Sequence, residues 1–155
     1  MRLPAFVSAA ILAAIQAVVV AVPAAVTSTA ASANEMERVR PVAHAATQKE
    51  CGECHMAFQP ELLPAASWDR IMDELSTHFG DNASLDPQAV ADIRSYLTHN
   101  ASRRGDGRLT RITQQRWWTR EHDFRPQIWS RSDVRSKANC TACHRDADKG
   151  LYDDD

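Results

Sequence analysis

Two copies of the pattern Cys-x-x-Cys-His lie far apart in this sequence, at residues 51–55 and 140–144. The sequence contains four cysteines, and all four belong to these two patterns: Cys51, Cys54, Cys140 and Cys143. Two thiols at this spacing can hold a zinc ion, form a redox-active disulfide, or attach a haem covalently. The residues around the thiols distinguish these three uses.

Zinc and disulfide chemistry each leave part of the pattern unexplained. Zinc ribbons place their two cysteine pairs about 15–20 residues apart, whereas Cys54 and Cys140 are much farther apart than that. Zinc also gives no reason for a histidine directly after each pair. A structural disulfide needs no histidine either, and no βαβ pattern typical of a thioredoxin-like site surrounds either motif.

A covalently bound haem accounts for every part of the pattern. In the Cys-x-x-Cys-His attachment sequence of c-type haems, the two thiols bond to the haem vinyl groups and the histidine binds the iron. The two thiols are about one helical turn apart, which lets both sulfur atoms face one porphyrin edge. We therefore predict two covalent haem c groups, with His55 and His144 as the first axial ligands.

Each iron needs a second axial ligand or stays open, and the usual candidates are histidine and methionine. Met72 lies in a predicted apolar helix face, where core packing is its expected role. Four histidines are left after the two in the motifs. His78 and His122 rank first and equal, because one lies at an apolar helix edge and the other beside a tryptophan pair. His44, in a polar leader, ranks third, and His99 ranks last because its helix position predicts exposure to solvent.

The chain between the motifs predicts an all-α fold with few or no strands. Residues 67–80 read as a helix that Ser67 caps and Gly80 ends. Its apolar stripe has helical spacing and consists of Trp68, Ile71, Met72, Leu75 and Phe79. A second helix is predicted within residues 84–100, with Asp86 as its N-cap and Pro87 at its first position.

Two further helical segments are predicted nearer the second motif. In residues 111–124, Trp118 and His122 are four residues apart and would share a helix face. Residues 136–150 read as a short helix that carries the second motif, with Ser136 as its cap and Gly150 as its stop.

Residues 1–33 have the layout of a cleaved secretory signal peptide. Arg2 precedes an apolar run at residues 9–25, and residues 31–33 form a small-x-small cleavage site. The alternative is a retained membrane anchor, although Gln16 and Pro23 interrupt the run. Cleavage would leave residues 34–104 and 105–155 as two small haem-centred lobes, joined near residues 101–108. Neither lobe is long enough for a large apolar core, so the haems would supply much of it.

Charge is distributed unevenly along the predicted mature chain. Residues 34–100 hold five basic and eleven acidic residues, residues 101–137 hold ten and four, and residues 138–155 hold two and five. The opposed charges could steer redox partners, or the arginines could pair with haem propionates, and both uses stay open. Arginine interleaved with tryptophan is also seen in nucleic-acid binding, but an exported acidic protein is expected to bind no nucleic acid.

Four runs make the chain resemble a family of small periplasmic dihaem cytochromes c called DHC. The runs cover roughly residues 49–154 and are KECGECHMAFQPELLPAASW, HFGDNASLD, RITQQRWWTREH and SKANCTACHRDADKGLYDDD. The resemblance implies bis-histidine ligation of both haems, with His78 and His122 added to His55 and His144. Proximity in sequence assigns His78 to the first haem and His122 to the second, and the swapped assignment stays open. The family usually has a proline before its aromatic pair, where this chain has Arg116.

The resemblance also implies a function: a low-potential electron carrier in the bacterial periplasm. Its expected partners are a membrane b-type cytochrome and a small oxygen-binding haem protein, and the mature chain itself is not expected to insert into the membrane. The alternative is a dihaem enzyme with one open iron that acts on peroxide or on a sulfur or nitrogen species. Such an enzyme needs an acid–base group beside the open iron. The chain has enough histidines to close both sites, which favours the carrier.

Overall fold

The computed structural model describes residues 38–152, so the predicted signal peptide lies outside the described residues. The described chain is helical, and its extended backbone forms only three isolated bridges and no sheet. The α-helices are α1 (Ala45–Gly52), α2 (Ala65–Asp73), α3 (Pro87–His99), α4 (Arg116–Glu121) and α5 (Pro126–Trp129). Five short 3-10 turns join them, at Pro60–Leu62, Leu75–Thr77, Ile112–Gln114, Cys140–Ala142 and Ala147–Lys149. The predicted all-α fold is confirmed, and no helix in this range has the length and apolar character needed to cross a membrane.

Helix α3 has the start that the sequence predicts. Pro87 occupies its first turn, and the Asp86 carboxylate accepts hydrogen bonds from the backbone N–H groups of Gln88 and Ala89, each at 3.0 Å. These bonds satisfy two of the donors that a helix start leaves without a partner. Ile93 and Leu97 form the buried face of the helix.

Helix α2 differs from its prediction at both ends. It begins after Pro64, so Ser67 lies inside the helix and is not its cap. The buried Ser67 hydroxyl instead donates a hydrogen bond of 2.6 Å to the carbonyl oxygen of Leu109. The helix ends at Asp73, and after a 3-10 turn the backbone of Phe79 and Gly80 takes positive φ angles of 53° and 114°. His78 directly follows the 3-10 turn and therefore lies beyond the end of α2.

The second motif is also less helical than predicted. Residues 136–150 contain two separate 3-10 turns, and Asn139 rather than Ser136 precedes the first of them. Gly150 ends the second turn with a φ of 79°, as the sequence predicts for a helix stop. Arg116 occupies the first position of α4 after the extended Gln115, a position that suits proline but does not require it.

The main apolar core packs α2 against α3. Its buried members are Leu63, Trp68, Ile71, Met72, Ile93 and Leu97. Outside the core, Arg94 of α3 reaches across to Asp73 of α2 at 2.6 Å. Beyond residue 104 the buried apolar side chains in the described chain are Trp118, Val134 and Ala147. Ala46 and Phe58, on either side of the first Cys-x-x-Cys-His motif, pack against this core, whereas the second motif lies in a part with far fewer buried apolar side chains.

The start and the end of the described chain are held together. The Val39 N–H donates to the carbonyl oxygen of Gly150 at 2.9 Å, and Arg38 forms an antiparallel bridge with Leu151. A Cβ atom on Gly150 would lie 2.1 Å from the Val39 carbonyl oxygen, so only glycine fits this contact. The predicted division into lobes at residues 104 and 105 stays a prediction.

Candidate functional site

None of the four cysteines of the two motifs, all of which lie in the described residues, is paired in a disulfide. Cys51 lies in the last turn of α1 and Cys140 in a 3-10 turn, and both are half-buried, whereas Cys54 and Cys143 are exposed. Burial raises the pKa of Cys51, and it raises the pKa of Cys140 to about 11. Within residues 38–152, no three His, Cys, Asp or Glu side chains come together as a metal-ion site requires.

The histidine of the first motif faces one other histidine. The rings of His55 and His78 are 6.2 Å apart between centroids, with an interplanar angle of 22°. His55 also stacks on Phe58 at 4.9 Å, and its Nδ1 lies 2.7 Å from the carbonyl oxygen of Met56. A carbonyl oxygen can only accept, so this contact makes Nδ1 the protonated nitrogen and leaves Nε2 free to bind a metal.

The histidine of the second motif, His144, likewise lies close to one other histidine, His122. The ring centroids of His122 and His144 are 6.1 Å apart, at an interplanar angle of 70°. His122 stacks on Trp118 at 4.2 Å with nearly parallel planes, and its Nδ1 lies 3.0 Å from the Trp118 carbonyl oxygen. The predicted shared face of Trp118 and His122 is thus present in the structure.

The spacing of both pairs fits a haem iron between the rings. Two imidazoles that bind opposite sides of one first-row metal ion, each through a nitrogen at about 2.0–2.1 Å, place their ring centroids roughly 6 Å apart. The distances of 6.2 Å and 6.1 Å agree with this value. Each pair also has its own cysteine pair next to it in sequence, which is the donor set that a covalent haem requires.

The surroundings of His78 favour its neutral, metal-binding form. Burial lowers the pKa of His78, the neighbouring His55 and Arg111 lower it further, and Asp81 opposes them. A neutral imidazole has a lone pair available for a metal. Beside it lies a cavity of about 190 Å³ lined by Ile71, Glu74, Thr77, His78, Phe79, Thr110 and Arg111.

The two histidines that ranked lower have other surroundings. His44 precedes α1, stacks on Tyr96 at 4.7 Å, and places its two ring nitrogens 2.9 Å from Thr47 Oγ1 and 3.3 Å from Asp92 Oδ2. His44 thus holds the start of α1 against α3. His99 is exposed at the last position of α3, as predicted.

Two residues that the sequence analysis did not single out join the two motifs. Gln59 is fully buried, and its amide nitrogen donates to the Ala147 carbonyl oxygen at 2.7 Å. Its amide oxygen accepts a hydrogen bond of 2.6 Å from the Tyr152 hydroxyl, and the Tyr152 ring lies 5.5 Å from that of His144. Burial raises the pKa of Tyr152, so the hydroxyl stays a donor at neutral pH. No local pattern could mark these residues, because their partners are about ninety positions away along the chain.

Comparison with protein families matches residues 47–152 to the family model described as DHC, dihaem cytochrome c. Three solved structures are similar. DHC purified from Rhodobacter sphaeroides is 41% identical, with a TM-score of 0.66 over 72% of this chain and 98% of that chain. The diheme cytochrome c from Rhodobacter sphaeroides is 38% identical, with a TM-score of 0.66 over 73% and 99%. The diheme cytochrome type c sb-DHC from Shewanella baltica OS155 is 41% identical, with a TM-score of 0.64 over 70% and 86%. Comparison with curated proteins finds no match.

Proposed function

Because the chain belongs to the dihaem cytochrome c family DHC and so carries two covalently attached haem c groups, we propose that it is an electron-transfer protein with two bis-histidine haems. The predicted family and cofactors are confirmed by this membership. A haem iron supplies one-electron chemistry by alternating between its ferric and ferrous states. The residues of this chain attach each haem, fill its axial positions and shield it from other ligands.

We assign one cysteine pair and one histidine pair to each haem. Cys51 and Cys54 would attach the first haem, with His55 and His78 as its axial ligands. For the second haem, the attachment residues would be Cys140 and Cys143, and the axial ligands would be His144 and His122. The observation that carries this assignment is the pair of centroid distances, 6.2 Å and 6.1 Å, each of which leaves room for one iron atom. The same distances favour the pairing by sequence proximity over the swapped one.

Two histidines on each iron would make both sites closed. A substrate could then reach the iron only by displacing a ligand, which favours a carrier over an enzyme. Imidazole also gives a lower reduction potential than the methionine thioether that other cytochromes c use. We therefore propose that the protein works at low potential.

Basic side chains next to both histidine pairs suggest the kind of partner. The Arg111 guanidinium lies 4.3 Å above the Phe79 ring, which contacts His78, and the Lys137 ammonium lies 5.8 Å from the Trp118 ring, which stacks on His122. We propose that redox partners present acidic surfaces here, so that association weakens as salt concentration rises. The partners proposed from the sequence resemblance are a membrane b-type cytochrome and a small oxygen-binding haem protein.

Cytochromes c are generally exported proteins. We propose that this chain reaches the periplasm through a signal peptide at residues 1–33. N-terminal sequencing of the purified haem protein tests this proposal. A first residue of Asn34 supports cleavage, and a retained Met1 overturns it.

Optical spectra of the purified holoprotein, oxidised and reduced, with and without carbon monoxide, test the central proposal. We expect low-spin spectra in both states, no near-infrared band from methionine ligation, and no change on adding carbon monoxide. A high-spin component or carbon monoxide uptake at one haem would contradict two closed sites. The dihaem enzyme with one open iron would then be the better account.

A further inference from the structure

Two of the four proposed iron ligands, His55 and His122, have a backbone acceptor for their second ring nitrogen, whereas His144 has none among the described residues. A metal-binding histidine almost always donates its second ring nitrogen to a carboxylate, a backbone carbonyl or a water, and this bond fixes the ring plane. His55 has such a contact with the Met56 carbonyl oxygen, and His122 has one with the Trp118 carbonyl oxygen. The Nδ1 atom of His144 is buried and has no hydrogen-bond partner among the described residues.

The ring that packs against His144 is itself held firmly. Tyr152 meets His144 edge to face, with ring centroids 5.5 Å apart and planes at 67°. The Tyr152 hydroxyl does not bond to His144 but donates to the Gln59 amide oxygen at 2.6 Å. The position of the phenol ring is therefore set by Gln59, from the other half of the chain.

Gln59 is well suited to act as this anchor. Its side chain is fully buried, and its amide nitrogen bonds to the carbonyl oxygen of Ala147 at 2.7 Å. Both ends of the amide thus have partners in the second half, which fixes the direction in which the amide oxygen points. Gln59 follows Phe58, whose ring stacks on His55 at 4.9 Å. One continuous set of contacts therefore runs from the first motif histidine to the second.

We propose that the hydrogen bond between Tyr152 and Gln59 orients His144 and so sets the ligand geometry of its haem. Gln59 and Tyr152 are positioning residues, because they act on the iron through His144. This inference rests on the proposed function, in that His144 must be an iron ligand. Its consequence is that one haem of the two depends on a bond between residues 59 and 152 for its ligand geometry.

The chain offers a matched pair of variants to test this, since Tyr96 and Tyr152 are its two tyrosines. Tyr152→Phe keeps the ring beside His144 and removes the hydroxyl. Tyr96→Phe is the control, because the Tyr96 hydroxyl accepts a bond from the Ala43 N–H at 3.1 Å and its ring stacks on His44, which is not a proposed ligand. Both holoproteins are measured by redox titration and by electron paramagnetic resonance (EPR) of the oxidised state.

We expect Tyr152→Phe to leave both haems low-spin and to change only one of them. The reduction equilibrium constant of that haem should change about tenfold, which corresponds to about 59 mV for a one-electron couple. Tenfold is the low end of the effect expected when a residue that supports a metal ligand is replaced. The EPR signal that moves should be the one that disappears in His122→Ala. Tyr96→Phe should change neither potential and neither signal.

Gln59→Met breaks the same contact from its other end and should shift the same haem. Gln59→Met also tests the proposal if the Tyr152→Phe protein does not accumulate in the cell. Combining the two substitutions should change the potential no further than Tyr152→Phe alone, because both remove one shared bond.

The inference is overturned if Tyr152→Phe and Tyr96→Phe have the same potentials and the same EPR signals, even where both lose stability. It is also overturned if Tyr152→Phe shifts both haems equally. Failure of the proposed function would be seen earlier and differently, as a high-spin or carbon monoxide-binding haem in the unmodified protein.

Discussion

The two proposed ligand pairs differ in the angle between their imidazole planes. The planes of His55 and His78 are 22° apart, whereas those of His122 and His144 are 70° apart. When the two rings are nearly parallel, both interact with the same iron d orbital, so the energy of that orbital differs from the energy of the second d orbital of the same type. When the two rings are nearly perpendicular, each interacts with a different one of these two d orbitals, so the two orbitals stay close in energy. Axial ligands can therefore distinguish two haems of identical chemical composition.

We predict two distinct low-spin EPR signals from the oxidised protein. The first haem should give a rhombic signal, because its imidazoles are close to parallel. The second should give a more anisotropic signal with a larger maximum g value. Two superimposed rhombic signals in the unmodified protein would show that the His122 and His144 planes are not near perpendicular in the holoprotein.

Single replacements of the distal histidines should open one iron each. We expect His78→Ala and His122→Ala to give one high-spin haem that binds carbon monoxide when reduced, while the other haem stays low-spin. Optical titration with carbon monoxide would measure one binding site per chain. His99→Ala is the matched control, since His99 is exposed at the end of α3 and should leave both spectra unchanged. Low-spin spectra for both distal variants would mean that other residues fill the sixth positions.

Sequence patterns identify the residues whose role depends on local spacing. The cysteine pairs and their histidines are recognisable because the whole attachment sequence is five residues long. His78 and His122 could be ranked first from their apolar and aromatic neighbours, and the structure brings each close to a motif histidine. Gln59 and Tyr152 could not be found in this way, because each is polar or aromatic without any periodic context and their contact joins distant parts of the chain.

At the scale of elements, α3 is the helix whose stability can be tested most directly. Asp86→Ala removes the acceptor of two backbone N–H groups at the helix start. We expect the free energy of unfolding to fall by about 1 kcal/mol, within the roughly 0.5–2 kcal/mol range for lost N-caps. Denaturant unfolding of the holoprotein, followed by far-ultraviolet circular dichroism, measures this change.

Gln88→Ala is the control for the cap, because it changes an exposed side chain in the same turn and leaves the Asp86 carboxylate in place. It should change the free energy of unfolding by much less than Asp86→Ala. Equal effects of the two substitutions would show that the cap contributes nothing specific.

The contrast between α3 and α2 explains which elements the sequence predicts well. The start of α3 depends on Asp86 and Pro87 alone, so its signal is local. The helix predicted over residues 67–80 included Phe79, which takes a positive φ that propensity does not favour in a bulky residue. Serine is a common N-cap residue, but the Ser67 hydroxyl donates its hydrogen bond to the carbonyl oxygen of Leu109, more than forty residues away. The position of Ser67 is set by a tertiary contact, which no pattern within residues 67–80 contains.

At the scale of the whole molecule, buried apolar side chains are concentrated in the first half. The α2–α3 core lies between Leu63 and Leu97, and few apolar side chains beyond residue 104 are buried in the described chain. The second half should therefore depend more strongly on its haem for structure, as small domains without a sufficient core depend on a bound group.

We predict that the double variant Cys140→Ala/Cys143→Ala loses hydrogen-exchange protection in α4 but keeps it in α2 and α3. The reason is that the α2–α3 core is formed by protein side chains that remain after the second haem is lost. Thr141→Ala, an exposed change between the same two cysteines, keeps both thiols and should keep protection everywhere. Protection that is lost from α2, α3 and α4 together would show that the two halves unfold as one unit.

The contact between Val39 and Gly150 has a consequence for the order of biosynthesis. Val39 is synthesised before the two attachment motifs, and Gly150, whose carbonyl oxygen accepts from the Val39 N–H, is synthesised after them. Both attachment motifs lie between these two residues, so the ribosome has completed each motif before this contact can form. This contact therefore closes a loop that contains both cysteine pairs, and it can form only after both pairs have been synthesised.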